Sequence, residues 1–178
     1  AGERVITALR QQGLYENTVV RFSSDPGPAS YAGNTLAATP GQIHELEAAG
    51  HHSNGPHRGY KFSVYEGGLH VPLIAHWPKV IQGDTQSDAL VGLNDLMATF
   101  AEIAEYKLEE TEGPDSVSFA SILRNHNTGT RRQHLIMQSA MESYVIRDGD
   151  WKLCLAPGSG ARGIWGNTPA PEVAWAEA

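Results

Sequence analysis

The first part of the chain carries a helix pattern that is followed within a few residues by a strand pattern. Leu9 follows Ile6 by three positions and Val5 by four, as on one face of an amphipathic helix over residues 3–12. Residues 18–23 (TVVRFS) form a short run rich in β-branched and aromatic residues, which predicts a strand. A helix joined to a strand by so short a connection is typical of an α/β layer with parallel strands.

The predicted strand ends in Ser-Asp-Pro-Gly-Pro at residues 24–28, a sequence that favours a sharp break. In open α/β sheets ligands bind outside the carboxyl ends of strands, which makes Asp25 a candidate functional residue. The next strand pattern covers residues 71–77 (VPLIAHW), where Pro72 is compatible only with an edge strand or with the start of a strand. A helix capped by Asn94 or Asp95 is predicted to continue through Tyr106.

The later part of the chain predicts a small antiparallel sheet. Residues 134–138 (HLIMQ) have a strand pattern. Two further strand patterns, at residues 144–147 and 151–155, flank Asp148-Gly149, a pair that favours the positive φ angles of a tight hairpin. We therefore expect a β-meander after the α/β layer.

These patterns divide the chain into two expected parts. Residues 1–130 are expected to form an α/β portion, with the strands at residues 18–23 and 71–77 in a larger, mainly parallel sheet. Residues 131–178 are expected to form a small antiparallel subdomain and a tail. From residue 156 onward the chain is rich in Gly and Pro and predicts a loop.

Bulk properties exclude several kinds of partner. Thirteen basic against twenty acidic residues give a formal net charge of -7, and no basic run is longer than Arg131-Arg132, so nucleic acid is not expected as a partner. The apolar runs are only a few residues long, so no membrane span is expected. Cys154 is the one cysteine, which excludes an internal disulfide. The sequence leaves the oligomeric state open.

One lysine stands in an unusual setting. The segment at residues 55–72, GPHRGYKFSVYEGGLHVP, places Lys61 among aromatic residues and glycines. Lysine is ordinarily a solvated surface residue, so one interpretation is an irregular surface loop. The other is an anion site, because an ammonium group is a compact point charge suited to a small anion. Both interpretations are open from this segment alone.

The combination of motifs resembles the sulfatase family. In that family a strand ends in Ser-Asp-Asn-Gly, and a later loop has the approximate pattern Leu-Arg-Gly-x-Lys-x-x-x-Tyr-Glu-Gly-Gly-x-x-Val-Pro. This chain has Asp25 after a strand, then RGYKFSVYEGGLHVP over residues 58–72. The similarity extends to LRQQGLYENTVVRFSSD, NDLMATFAEIAE and YVIRDGDWKLCL. It implies an α/β fold in which residues 1–130 are the C-terminal part of the catalytic domain, with part of an alkaline-phosphatase-like mixed sheet flanked by helices. Residues 131–178 would then form the small C-terminal antiparallel sheet and tail.

The resemblance also implies a chemistry. Sulfatases hydrolyse sulfate esters with a formylglycine nucleophile and a Ca²⁺ ion, and the lysine at the position of Lys61 contacts the sulfate as a catalytic and substrate-binding residue. Asp25 is at the position of a metal ligand. Pro26 replaces the asparagine ligand expected next to it, and proline has neither a side-chain donor atom nor a backbone N–H. Ca²⁺ is therefore expected in the complete protein and not on these 178 residues alone.

Other residues near these motifs are secondary candidates. The histidines His51, His52 and His57 precede Lys61, and His52 and His57 are retained as possible substrate contacts, against the default of solvated loop residues. Arg21 places a charge in a strand expected to be buried, which is costly unless the charge is paired or reaches solvent.

The nucleophile motif of the family, Cys/Ser-x-Pro-x-Arg, does not occur in the chain. Cys154 is followed by Leu-Ala-Pro-Gly, which does not match. The chain is therefore expected to be a C-terminal portion of a sulfatase that is inactive alone. The resemblance further implies a periplasmic or extracellular location and a sulfated small molecule or polysaccharide as substrate.

Three functional hypotheses remain open. The first is a sulfatase that hydrolyses sulfate esters when complete. The second is a degenerate, non-catalytic sulfatase-like protein, in which Pro26 and Arg21 record the loss of catalysis. The third is a phosphate or phosphonate ester hydrolase of the same superfamily.

Overall fold

The computed structural model describes residues 2–29, 42–124, 132–155 and 158–160, together with the backbone of residues 175–177. In chain order, helices α1 to α5 are Gly2–Gln11, Gln42–Ala48, Glu66–Leu69, Leu96–Ile103 and Ala120–Leu123. Strands β1 to β6 are Val20–Ser23, Leu73–His76, His134–Gln138, Tyr144–Asp148, Trp151–Cys154 and Trp175–Glu177. No helix in the described ranges has the length and apolar character needed to cross a membrane.

The contacts of the chain define two compact units. One comprises Ala1–Ser23 with Leu73–Gln133, and the other comprises Ser24–Pro72 with His134–Ala178. The boundary expected at residues 130 and 131 lies outside the described residues, so the division into 1–130 and 131–178 stays a prediction. Most of the tail after residue 155 also lies outside them.

In the first unit, β1 and β2 pair antiparallel, with Val20 opposite His76 and Ser23 opposite Leu73. The expectation of parallel pairing for this part of the chain was wrong. A parallel partner would require the connection to return to the opposite end of the sheet. Instead, residues 24–72 connect the carboxyl end of β1 to the amino end of β2, and these two ends are adjacent in the sheet. Pro72 precedes β2, as expected for a proline at the start of a strand.

Helix α4 is stabilised at its start by a buried carboxylate. Asp95 is 1% exposed and accepts hydrogen bonds from the backbone N–H groups of Gly92 and Val117, each at 2.8 Å. Arg132 donates to the same carboxylate through Nε at 3.0 Å. Burial opposes ionisation of Asp95, but these donors outweigh it and lower its pKa. The helix was expected to continue to residue 106, but it ends at Ile103 because Glu105 adopts a left-handed conformation with a φ of 57°.

Arg21 does not occupy a buried position. The strand β1 has the burial pattern intermediate, exposed, exposed, intermediate, and Arg21 is one of its two exposed residues. The expected cost of a charge in a buried strand therefore does not arise, because the guanidinium is in contact with solvent. Within the described residues Arg21 is therefore not a buried charge.

The second unit contains a four-stranded antiparallel sheet in the order β3-β4-β5-β6. Strands β4 and β5 form the expected hairpin, and Gly149 in its turn has a φ of 56°. Strand β6 pairs with β5 and was not predicted from the sequence. Beneath this sheet Val64, Val145 and Cys154 form a buried apolar cluster. Val64 belongs to the Gly-rich segment, so the same core supports the loop that carries Lys61.

Candidate active site

Lys61 and Asp25 are joined in a salt bridge between Nζ and Oδ2, although they are 36 positions apart in the chain. The backbone N–H of Lys61 also donates to the carbonyl oxygen of Pro28 at 3.0 Å, which attaches the two loops at a second point. The side chain of Lys61 is 16% exposed and that of Asp25 is 78% exposed. The two residues singled out from the sequence therefore meet at one place, where most of the Lys61 side chain is buried and Asp25 is exposed.

Gly27 allows the two loops to approach closely. It has a φ of 67°, and a Cβ atom at this position would lie 2.7 Å from the carbonyl oxygen of Gly67 and 2.8 Å from Cα of Lys61. An L-amino acid with a side chain is disfavoured in this conformation, and the space for a methyl group is already occupied. Glycine at position 27 thus sets how near the backbone of Lys61 comes to the Asp25 loop.

We expect Gly27→Ala to lower the free energy of unfolding by about 1 to 3 kcal/mol, because the added methyl group overpacks the contact with Lys61. The matched control is Gly83→Ala, since Gly83 has no atom within 4 Å of a built Cβ and no positive φ. That variant is expected to stay within about 0.5 kcal/mol of the wild type. Chemical denaturation of both variants measures the difference, and equal losses would show that the close approach does not exist.

The residue after Lys61 is held in an unusual backbone conformation. Phe62 has a φ of 77°, in the left-handed region that residues with a side chain rarely adopt. Its ring centroid lies 5.5 Å from Nζ of Lys61, within the range of a cation–π contact. The flanking backbone is anchored by the hydrogen bond from the N–H of Val64 to the carbonyl of Ser159 at 2.7 Å. Such strain persists only where the surroundings impose it, and it is concentrated at functional sites.

Tyr60 attaches the Lys61 loop to helix α2. Its hydroxyl donates a hydrogen bond of 2.6 Å to Oε2 of Glu47. Burial and this contact with Glu47 raise the pKa of Tyr60 to about 12, so the phenol stays protonated and continues to donate across the neutral pH range.

The Glu-Gly-Gly corner forms the first turn of helix α3, and its two glycines are required by packing. A Cβ atom on Gly67 would lie 2.7 Å from the carbonyl oxygen of Arg58, which also accepts the N–H of Gly67 at 2.7 Å. A Cβ atom on Gly68 would lie 2.6 Å from the carbonyl oxygen of Ser63. The corner is therefore packed directly against the backbone on both sides of Lys61, and its role is architectural, as the sequence suggested.

Glu66 at this corner has two basic partners that sequence reasoning missed. Its Oε1 accepts from Nζ of Lys152 at 2.5 Å, and its Oε2 accepts from Arg147 at 3.2 Å. Lys152 is 3% exposed. Burial opposes the charge of Glu66, but Lys152 and Arg147 outweigh that effect and lower its pKa. Burial is also the largest influence on Lys152 and lowers its pKa, although Glu66 partly offsets it.

The sequence pattern does not indicate this cluster, because the alternation in WKLC would place Trp151 and Leu153, rather than Lys152, on the buried face. In the structure the buried face is the opposite one, with residues 152 and 154. A buried lysine requires an acidic partner. The identity of that partner as Glu66, 86 positions away, is not visible from the pattern.

The lowered pKa of Glu66 predicts acid sensitivity. Because the folded-state pKa lies below the unfolded value, the stability from its ionisation is complete above the unfolded pKa and is lost as the pH falls through the folded one. We expect the unfolding free energy of the wild type to fall between about pH 5 and pH 2 by more than that of Glu66→Gln. Denaturant titrations across this range measure the difference. Parallel curves would contradict an ionised, paired Glu66.

The candidate histidines His57 and His52 have different surroundings. His57 contacts His70, with Nε2 and Nδ1 3.2 Å apart and the ring centroids 4.8 Å apart in an edge-to-face arrangement. His52 is exposed on the same loop. A contact of either His52 or His57 with substrate stays a prediction.

The described residues do not by themselves fit the calcium ion that the family pattern implies. Within the described ranges, no three His, Cys, Asp or Glu residues are grouped so as to hold a metal ion. Calcium takes six to eight oxygen ligands, and Asp25 supplies a carboxylate while Pro26 supplies no side-chain oxygen. The assignment of Asp25 as a metal ligand therefore stays a prediction.

Comparison with known proteins establishes the family. A family model described as Sulfatase matches residues 3–106, which is more than half of the 178 residues. The chain therefore belongs to the sulfatase family, and the resemblance seen in the motifs is confirmed.

Three curated relatives show the range of the family. The chain is 30% identical to N-acetylgalactosamine-6-O-sulfatase of Bacteroides thetaiotaomicron over 83% of its own length and 27% of that protein. It is 36% identical to ulvan-active sulfatase of Formosa agariphila over 52% of its own length and 20% of that protein. It is 32% identical to steryl-sulfatase of Homo sapiens over 60% of its own length and 17% of that protein. The chain thus spans about a quarter or less of the length of these relatives.

Solved structures support the same fold. One solved structure is described in connection with the metabolism of multiple glycosaminoglycans by Bacteroides thetaiotaomicron. It has a TM-score of 0.76 at 29% identity and covers 92% of this chain and 32% of that chain. PsFucS1 sulfatase from Pseudoalteromonas sp. has a TM-score of 0.68 at 23% identity, covering 99% of this chain and 32% of that chain, and supports the fold alone. The fold is thus the mixed α/β, alkaline-phosphatase-like fold of sulfatases, as expected.

Proposed function

We propose that the complete protein is a sulfuric ester hydrolase and that Lys61 binds the sulfate group of its substrate. The observation that carries the proposal is the setting of Lys61 in a chain of the sulfatase family. Its side chain is 16% exposed, is paired with Asp25, and lies in a loop whose glycines are packed against neighbouring backbone. A lysine that is only solvated at the surface requires neither an ion-pair partner nor a tightly packed loop around it.

The chemistry of Lys61 follows from its charge and its shielding. An ammonium group next to a sulfate ester neutralises the negative charge of the sulfate oxygens and of the leaving oxygen as the S–O bond breaks. Because the group is held before substrate arrives, little reorganisation is needed at the moment of reaction. Shielding from water strengthens the attraction to the developing charge. Asp25 orients the ammonium through the salt bridge.

The remaining parts of the mechanism are proposed from the family. A formylglycine hydrate would supply the nucleophile, and a calcium ion would bind sulfate oxygens with Asp25 as one of its ligands. The Cys/Ser-x-Pro-x-Arg motif does not occur in the 178 residues. We therefore expect these residues alone to release no sulfate from an aryl sulfate.

The proposed substrate class is a sulfated carbohydrate, in a periplasmic or extracellular location. Two of the relatives are named for activity on N-acetylgalactosamine 6-O-sulfate groups and on ulvan. Near Lys61, Arg58 is exposed, with its guanidinium 4.3 Å from the centroid of the Tyr65 ring, and His57 is exposed as well. Exposed basic and aromatic groups of this kind suit a polar, negatively charged saccharide.

The two alternatives differ in what the complete protein releases. A degenerate protein would release neither anion, and the replacement of the expected asparagine by Pro26 favours it. A phosphate ester hydrolase of the same superfamily would release phosphate.

The deciding experiment supplies the complete protein with 4-nitrophenyl sulfate and 4-nitrophenyl phosphate at equal concentration. Inorganic sulfate and phosphate are then quantified by ion chromatography. We expect release of sulfate in preference to phosphate. Preferential release of phosphate would favour the superfamily alternative, and release of neither anion from these or from sulfated saccharides would favour the degenerate one.

A further inference from the structure

His57 and His70 form a pair of potential metal ligands, of which the proposed function uses only His57, as a possible saccharide contact. Nε2 of His57 and Nδ1 of His70 lie 3.2 Å apart, although the residues are 13 positions apart in the chain. Both side chains are exposed. The pair brackets the loop that carries Lys61, because His57 precedes that loop and His70 follows helix α3.

We propose that His57 and His70 together bind one divalent transition-metal ion, Cu²⁺ or Zn²⁺, through these two nitrogens. Two histidine nitrogens on a tetrahedral zinc ion, each about 2.0 to 2.1 Å from the metal, lie about 3.3 Å apart. The observed separation of 3.2 Å matches that spacing. Small rotations of two exposed rings direct both lone pairs to a common point, where the metal takes the place of the shared proton.

The chemistry of the pair selects the class of metal. Imidazole nitrogen suits copper, zinc and nickel, whereas magnesium and calcium prefer oxygen ligands. The backbone N–H of His70 donates to the carbonyl oxygen of Glu66 at 2.8 Å, but the Glu66 carboxylate is already held by Lys152 and Arg147. Solvent therefore completes the coordination, and Cu²⁺ binds more tightly than Zn²⁺, following the general order of divalent affinities.

A bound metal would cross-link the two ends of the Lys61 loop. Closing a loop through a metal favours the folded state, because the unfolded chain has no preformed site. The effect of the metal on stability is then linked to its concentration relative to its dissociation constant. The site uses residues other than Asp25 and does not depend on the hydrolysis of sulfate esters.

Isothermal titration calorimetry of the chain with CuCl₂ and with ZnCl₂, in a buffer that does not chelate metals, tests the proposal. We expect one ion per chain with tighter binding of Cu²⁺. His57→Ala and His70→Ala are each expected to weaken binding by about tenfold or more, because a single imidazole then remains. His52→Ala is the matched control, since His52 is exposed on the same loop, and it is expected to bind as the wild type.

The variants His57→Gln and His70→Gln control for a folding defect in the alanine variants. Circular dichroism verifies the fold of each protein. Loss of binding in both folded variants, with His52→Ala unchanged, supports the site. The proposal is overturned if the wild type binds neither ion at millimolar concentration. It is equally overturned if the His57 and His70 variants keep wild-type affinity, or if substitution of His52 abolishes binding.

Discussion

Lys61→Ala is expected to lower the turnover of a sulfate ester by the complete protein by about a hundredfold or more, which is the usual effect of removing one preorganised group from an oxyanion. The variant loses the ammonium that we assign to the sulfate, and it leaves Asp25 as an exposed carboxylate that water can solvate. The free energy of unfolding is therefore expected to change by no more than about 1 kcal/mol. Steady-state kinetics and denaturant unfolding of the same preparation measure both quantities.

The matched control is Lys107→Ala, because Lys107 is an exposed lysine with no proposed role. Its turnover is expected to equal that of the wild type. Near-normal rates for Lys61→Ala would show that Lys61 is an ordinary loop lysine. A loss of rate accompanied by an equally large loss of folded protein would show that its role is structural.

Lys152→Ala is expected to have the largest effect on stability, lowering the free energy of unfolding by about 3 kcal/mol. Lys152 is 3% exposed and donates to Glu66, whose side chain is itself largely buried. Removing the lysine leaves that carboxylate with Arg147 as its remaining basic partner, and removing one member of a buried ion pair leaves charge without full compensation. Chemical denaturation at neutral pH measures the loss.

Arg124→Ala provides the comparison for an exposed ion pair. Arg124 and Glu102 are bridged at 2.7 Å, with side chains 36% and 45% exposed, so the loss is expected to be about 0 to 1 kcal/mol. The double variant Glu66→Gln with Lys152→Met is expected to lose less than the sum of the two single losses, because neither charge remains buried alone. Equal effects of Lys152→Ala and Arg124→Ala would contradict the buried network.

Local patterns predicted the parts of the fold that local physics determines. The Asp148-Gly149 hairpin follows from the positive φ that its turn requires, and helix α1 follows from the spacing of its apolar residues. Asp25 and Lys61 were each singled out through the family motif, and the structure brings the two residues into contact. In each case the determining interaction lies within a short segment or within a recognised combination of segments.

The features that were missed depend on contacts between distant segments. The direction in which β1 and β2 pair depends on where residues 24–72 rejoin the sheet, which no strand pattern contains. The exposure of Arg21 depends on what covers the face of β1. The contact between His57 and His70 results from the path of the intervening loop, so neither residue has a sequence signal of its own.

Inhibition by the product tests most directly whether the ammonium of Lys61 binds the sulfate group. The inhibition constant of inorganic sulfate is measured for the complete protein, for Lys61→Ala and for Lys107→Ala, with a sulfate ester as substrate. A hydrogen bond to a charged group contributes about 1.5 to 3 kcal/mol, so the constant is expected to rise about tenfold or more for Lys61→Ala and to stay unchanged for Lys107→Ala. The same inhibition constant in all three proteins would contradict the assignment of Lys61 to the sulfate.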